Sequence, residues 1–294
     1  MALRALRFGL SVALTTPFGE DGGIDLARLV AHGRASLADG CGSLTVFGTT
    51  GEGASLGVAE REGALGALVG AGIDPARQLI VGIAAASVEE AIAQTRAGLA
   101  QGVRGYLLAP PFYFTGVSDE GLFAWFGAVI SGMGPAARGV ILYHIPQVTS
   151  VGLSMDLVGR LKTAFPGVVM AVKDSSGDWD NAQALLRTHG ELDILIGDER
   201  RLAGAMRLGA SGAITGLANV VPDMMRRLCE GHDAPLIDAI VERVLKQPVT
   251  PAVKALVAHR RGDPGWRRVR SPLDTMTEAA AASLAADIDV ILGG

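Results

Sequence analysis

The chain has 294 residues, 49% of them hydrophobic, which is enough to build one large barrel or two ordinary domains around a sizeable core. Its formal net charge is −4 and its lysines and arginines form no extended cluster, so a nucleic-acid footprint is excluded. No uninterrupted apolar run reaches the roughly 18 residues of a membrane span. The two cysteines, Cys41 and Cys229, lack the spacing of a zinc or redox site and read as free buried thiols. The N-terminus carries Arg4 and Arg7 without an apolar signal segment behind them, so a cytoplasmic protein is expected.

In chain order, short apolar runs alternate with longer helical patterns. The expected strands are Leu10–Leu14, Ser43–Phe47, Gln78–Ile83, Gly105–Leu108, Gly139–Tyr143, Val168–Val172, Asp193–Ile196 and Ser211–Ile214. Runs of this length and apolarity suit strands buried on both faces of a parallel sheet. Ser87, Ser118 and Ser154 stand where helices to Gln101, Ile130 and Thr163 should begin, with acidic residues following in the first turns. Eight such strand–helix steps fit a (β/α)8 TIM barrel, whose typical size is about 250 residues. A doubly wound open sheet is the alternative, but Thr15-Thr16-Pro17-Phe18-Gly19 after the first strand is no dinucleotide fingerprint. The barrel is assigned to residues 1–225. Residues 226–294 form a C-terminal helical appendage, with helices expected over Ala234–Leu245, Val249–His259 and Thr275–Ile291. The short basic run Arg260, Arg261, Arg267, Arg268 and Arg270 reads as a solvated face or a subunit contact.

In such a barrel the chemistry belongs to the C-terminal ends of the strands. Lys173 follows the apolar run Val168–Val172. A lysine placed there loses hydration, which disfavours the ammonium and favours the amine that attacks a ketone. The plainer reading is an ion pair with Asp174, and the residues alone leave the two readings level. Of the remaining lysines, Lys162 and Lys246 lie in helical stretches, and Lys254 is expected to face a subunit or domain surface. Tyr143 closes another buried strand, either as a proton shuttle or as a rim tyrosine with a satisfied hydroxyl. Gly48-Thr49-Thr50-Gly51 offers hydroxyls and free N–H groups to a carboxylate and lacks the P-loop pattern. The five histidines form no ligand pattern. Asp198 and Glu199 with Asp174 or Asp178 match no known oxygen-ligand loop, so neither a metal nor any other cofactor is expected.

These residues, taken together, resemble the N-acetylneuraminate lyase and dihydrodipicolinate synthase superfamily of class I aldolases, in order and over nearly the whole chain. Gly48–Glu52 is similar to that family's pyruvate-carboxylate motif, and Pro110-Pro111-Phe112-Tyr113 to its aromatic loop. Tyr143-His144-Ile145-Pro146 resembles its Y-N-[IV]-P motif, with histidine in place of asparagine. Val172–Asp178 resembles the Schiff-base segment, and Gly209–Ile214 with Ala218-Asn219 the strand-8 motif. The resemblance implies that Lys173 is the nucleophile and Tyr143 the proton shuttle, with Thr49 joining the relay. Thr49, Thr50 and Gly48 then belong to the keto-acid carboxylate site. Ile214 lines the pyruvate pocket, and Tyr113 matches a tyrosine that in some members reaches a neighbouring subunit's site. An iminium on Lys173 would be the electron sink, so the chemistry needs no metal. A homotetramer, assembled as a dimer of dimers, is the family expectation.

One position departs from the pattern. Dihydrodipicolinate synthases carry an arginine two residues after the motif proline to grip the aldehyde's carboxylate, and here that position is Val148. Valine makes no charged bidentate contact. Asp198 and Glu199 resemble the acidic pair that sugar-acid aldolases use to hold hydroxyls, and Ser175 matches a hydroxyl position in the same pocket. The plain alternative for Glu199 is a first-turn glutamate favoured by the helix dipole. The leading expectation is therefore a lyase acting on pyruvate or a hydroxylated 2-keto acid of the sugar-acid or sialic-acid type. Condensation of pyruvate with aspartate semialdehyde is the alternative, and a non-catalytic keto-acid-binding barrel comes third.

Overall fold

A computed structural model describes residues 8–293, so Arg4 and Arg7 lie outside the described residues. The strands are β1 Gly9–Ala13, β2 Ser43–Val46, β3 Leu79–Ile83, β4 Gly105–Leu108, β5 Val140–His144, β6 Val169–Asp174, β7 Asp193–Ile196 and β8 Gly212–Thr215. Each pairs in parallel with the next, and β8 pairs with β1 to close the barrel. All eight expected strands are present, and the open-sheet alternative falls. The largest difference is at β6, which continues through Lys173 and Asp174 rather than stopping at Val172.

Side chains alternate along each strand, so one face fills the barrel and the other meets the helices. The interior cluster contains Ile80, Leu107, Ile141, Tyr143, Ala171, Leu195 and Ile214. The residues between them, such as Leu142 and Val172, belong to the layer under the helices. Period two therefore sends Tyr143 inward two residues after Ile141, and Lys173 onto the face of Ala171.

The helices are α1 Leu26–Ala38, α2 Val58–Gly70, α3 Pro75–Gln78, α4 Val88–Gln101, α5 Asp119–Gly132, α6 Pro146–Thr149 and α7 Met155–Ala164. They continue with α8 Trp179–Thr188, α9 Glu199–Arg207, α10 Pro222–Cys229, α11 Ile237–Leu245, α12 Val249–Arg261 and α13 Glu278–Leu292. Ser87, Ser118 and Ser154 cap α4, α5 and α7, each accepting the backbone N–H three residues on. A cap of this kind is worth about 1 kcal/mol. No helix among the described residues is long and apolar enough to cross a membrane.

The C-terminal helices do more than decorate the barrel. Residues Thr250 to Ala258 of α12 are buried without interruption. A helix covered all round must be sandwiched, and here its neighbours are the strand-end loops, α11 and α13. Cys41 and Cys229 are buried free thiols, as expected, and burial pushes each up to about 12.

Candidate active site

β5 and β6 pair so that Tyr143 stands beside Lys173 and His144 beside Asp174. Lys173 is buried, and its Nζ donates to the Tyr143 hydroxyl at 3.2 Å. The same Nζ lies 4.3 Å from the centre of the Tyr143 ring. Thr49 Oγ1 is 3.5 Å from the same hydroxyl on the other side. Burial by itself would raise the Tyr143 phenol, but the positive charge of Lys173 and the hydroxyls of Thr49 and Ser175 bring it below its ordinary value. A proton can thus pass directly between amine and phenol, with the threonine hydroxyl at the edge of reach beyond them.

The ion pair weighed for Lys173 with Asp174 is absent. Adjacent strand residues point to opposite faces, and Asp174 spends its oxygens elsewhere. Oδ1 accepts from the Ser176 N–H at 2.9 Å and hydroxyl at 2.7 Å, and Oδ2 from Asn181 at 2.9 Å. His144, where the motif has asparagine, also faces outward. Its Nδ1 accepts the Leu153 N–H at 2.9 Å, and burial lowers its proton affinity, so it pins the segment after α6 as a neutral ring.

Lys173, Tyr143, Thr49, Thr50, Ser175, Asp198, Glu199 and Ile214 line one cavity of about 400 Å³ at the C-terminal end of the barrel. A second recess of about 240 Å³ adjoins it, shares Thr49, Tyr143 and Val148, and is lined by Gly48, Phe47, Leu107 and Phe112. A wider groove of about 730 Å³ runs over α5, α7 and α8 on the outer face, but it holds none of these strand-end residues. Tyr113 is not brought to the cavity. It is 85% exposed and packs edge-on against Phe114.

The acidic pair divides. Asp198 caps α9 through the Arg200 N–H and is held by the Arg200 guanidinium, with Nε to Oδ1 at 2.9 Å and Nη2 to Oδ2 at 2.7 Å. Glu199 keeps one hydrogen-bonded neighbour, the Thr215 hydroxyl, and burial raises its carboxyl above the usual range. Of the two carboxylates, Asp198 is therefore the one engaged by a cation and Glu199 the one without an ion pair among the described residues.

The threonine loop after β2 is tightly wound. Phe47 and Glu52 both adopt positive φ, 60° and 54°. A Cβ on Gly53 would lie 1.8 Å from the Phe47 carbonyl oxygen, so only glycine fits there. Arg61, 1% exposed, ties the loop to β3 by donating to the carbonyls of Leu56, Gly53 and Gly82. Glu52 receives Lys254 Nζ at 2.6 Å and the Arg270 N–H at 2.8 Å, while the Thr250 hydroxyl donates to the Thr49 carbonyl at 3.3 Å.

Two expectations are corrected here. Lys254 does not face a surface; it is fully buried in an ion pair, as its apolar flanks on both sides could have signalled. The basic run near the C-terminus is not simply a solvated face. Arg270 binds Glu60 and the carbonyls of Gly22 and Ser55, and Arg261 donates to His32 at 3.1 Å.

A parallel eight-stranded barrel with a buried amine in contact with a phenol at its C-terminal mouth defines a class: lyases of the class I aldolase type. Comparison with known proteins places the chain within that class. The profile of the dihydrodipicolinate synthetase family matches residues 7–290, and the chain belongs to that family. It is 32% identical over 295 residues to an uncharacterized DapA-like lyase of Chloroflexus aurantiacus, covering 97% of each. It is 37% identical over 219 residues to the 4-hydroxy-tetrahydrodipicolinate synthase of Sorangium cellulosum, covering 73% of this chain and 70% of that one. The crystal structure of dihydrodipicolinate synthase from Agrobacterium tumefaciens superposes with a TM-score of 0.94 at 50% identity, over 97% of this chain and 99% of the other.

Proposed function

We propose that the chain is a Schiff-base aldolase that takes pyruvate, or releases it, and that its other substrate or product makes a hydroxylated 2-keto acid. The observation that carries this reading is the in-register pair of Tyr143 and Lys173, with Nζ 3.2 Å from the phenol oxygen. The Lys173 amine attacks the keto carbon, and the carbinolamine oxygen takes a proton through Tyr143 and Thr49. Water then leaves, giving an iminium. In the cleavage direction the C4 hydroxyl loses its proton and the C3–C4 bond breaks. Its electron pair moves toward the iminium nitrogen, and an aldehyde departs from an enamine. Protonation of the enamine and hydrolysis return pyruvate and the free amine. Condensation is the same path reversed.

Thr49, Thr50 and the backbone at Gly48 hold the keto-acid carboxylate in this reading. Ser175 and Glu199 accept or donate to substrate hydroxyls, and Ile214 packs against the pyruvate methyl group. A second copy of the chain would bring a tyrosine, Tyr113, toward the relay, which fits its 85% exposure in one copy and the dimer-of-dimers arrangement. The setting is cytoplasmic, and the enzyme uses its own lysine as the electron sink.

Condensation of pyruvate with aspartate semialdehyde is the second reading. The names of the relatives favour it; Val148, where an arginine would grip that aldehyde's carboxylate, opposes it. Steady-state assays separate the two. We expect cleavage of 2-keto-3-deoxy sugar acids or related hydroxy keto acids to exceed condensation with aspartate semialdehyde in kcat/KM. Turnover of the semialdehyde alone would reverse the order.

A further inference from the structure

We infer that the aldehyde half of the substrate is apolar, a hydrocarbon tail held by Val148 of α6 and by Val241, Val244, Leu245 and Val249 of α11 and α12. This inference rests on the Schiff-base reading of Lys173 and names the class of its second substrate.

The cavity is divided by polarity. Lys173, Tyr143, Thr49 and Thr50 make up the part that takes the keto acid in that reading. The other polar side chains of the wall are already engaged. Asp198 and Arg200 hold each other edge to edge, and Asp238 also acts on the guanidinium through its charge. Gln147 donates to the Ser175 carbonyl, and the Ser176 hydroxyl donates to Asp174. Glu199 receives the Thr215 hydroxyl, and the Ser175 hydroxyl reaches Tyr143. Ser175 and Glu199 can still meet one substrate hydroxyl, the C4 hydroxyl that an aldol product of pyruvate carries. A polyol or charged tail beyond C4 would give up water and find each polar group of the cavity wall already committed.

The rest of the wall is hydrocarbon. Val241 and Val244 are buried, but Val148, Leu245 and Val249 are 57%, 54% and 43% exposed while lining the same cavity. Large apolar side chains gathered at one site and left in water gain free energy when a ligand covers them. A cavity of about 400 Å³ also has room for a ligand larger than pyruvate.

In the condensing direction the enamine carbon attacks the aldehyde carbon beside this wall. The enamine electron pair becomes the new C3–C4 bond, and the aldehyde oxygen takes a proton to become the C4 hydroxyl. Water then releases Lys173. The product is a 4-hydroxy-2-oxo acid whose chain beyond C4 is hydrocarbon.

The test is a series of aldehydes condensed with pyruvate: ethanal, propanal, butanal, pentanal and hexanal, with glyceraldehyde and erythrose as the chain-matched hydroxylated partners of propanal and butanal. Borohydride trapping of pyruvate on Lys173 is measured on the same protein samples. We expect kcat/KM for the aldehyde to rise by roughly twofold to fourfold per methylene until the wall is covered. Butanal should exceed erythrose by about tenfold or more. Val148→Thr and Leu245→Asn keep the side-chain shape, make it polar and lie at exposed positions, so the fold tolerates them. Each should flatten the methylene series and lower kcat/KM for pentanal by roughly threefold to tenfold. A wild type that traps pyruvate but shows a flat series, prefers the hydroxylated aldehydes or turns over none of the alkyl aldehydes would overturn the inference. So would variants that lower every aldehyde alike, or that both lose pyruvate trapping. A wild-type protein that traps no pyruvate would instead remove the Schiff-base reading on which the inference stands.

Discussion

Glu52 and Lys254 are 202 residues apart in sequence, yet their side chains meet at 2.6 Å with neither accessible to water. One end of this contact is the loop that carries Thr49 and Thr50. The other is α12, the helix laid over the mouth of the barrel. The C-terminal helices therefore hold the threonine loop in place through a buried ion pair.

Removing one partner leaves the other charged and unpaired. Lys254→Met should cost about 3–5 kcal/mol of stability, read by denaturant unfolding. It should also raise the KM for pyruvate, since the threonine loop loses its anchor. The double variant with Glu52→Gln should recover a large part of the stability, because the orphaned carboxylate is then gone. Losses that simply add would show that the two groups act independently.

The tight turn at Gly53 gives a second prediction. A methyl group there would sit 1.8 Å from the Phe47 carbonyl oxygen, so backbone must move. Gly53→Ala should lower the melting temperature and weaken pyruvate binding together, at a cost of about 2 kcal/mol or more. A substitution on the helix surface at Gly63, where a Cβ meets nothing within 4 Å, is the matching control.

Tyr143 bears on rate. Tyr143→Phe keeps the ring beside Lys173 and removes the hydroxyl that stands between the amine and Thr49. Iminium formation, followed by single-turnover trapping, should slow by roughly a hundredfold to ten-thousandfold. The phenol is held below its usual value near 10, so the wild type should show an ionisation below that pH that the phenylalanine variant lacks.

Glu199 makes stability depend on pH. Burial raises its carboxyl above the ordinary value of 4.5, so the folded chain keeps this proton where the unfolded chain has lost it. Its contribution to stability therefore falls as pH rises from the unfolded value toward the folded one, and the deficit persists above. Glu199→Gln should be more stable than the wild type at neutral pH, with the difference vanishing below pH 4.5. Unfolding measured across that window checks the sign.

Much of this was readable beforehand, for physical reasons that differ by residue. Lys173 and Tyr143 end apolar runs, and the two-residue period of a strand fixes which way they point. The helix caps at Ser87, Ser118 and Ser154 are local hydrogen bonds, so local sequence encodes them. The partners of Lys254 and Arg270 were not readable in this way. Each binds groups on distant segments, and a charge without its partner in view looks like surface. The Asp198–Arg200 pair was hidden for a different reason. Arg200 is two residues beyond Asp198, but only the turn into α9 brings guanidinium and carboxylate edge to edge.

The proposed chemistry begins with an imine between Lys173 and a 2-keto acid. The folded protein incubated with pyruvate and borohydride, digested and weighed peptide by peptide, tests it directly. We expect a reduced pyruvate adduct on Lys173, none on Lys162, Lys246 or Lys254, and none at all in Lys173→Ala. An adduct on another lysine, or no adduct in protein that is shown to be folded, would contradict it.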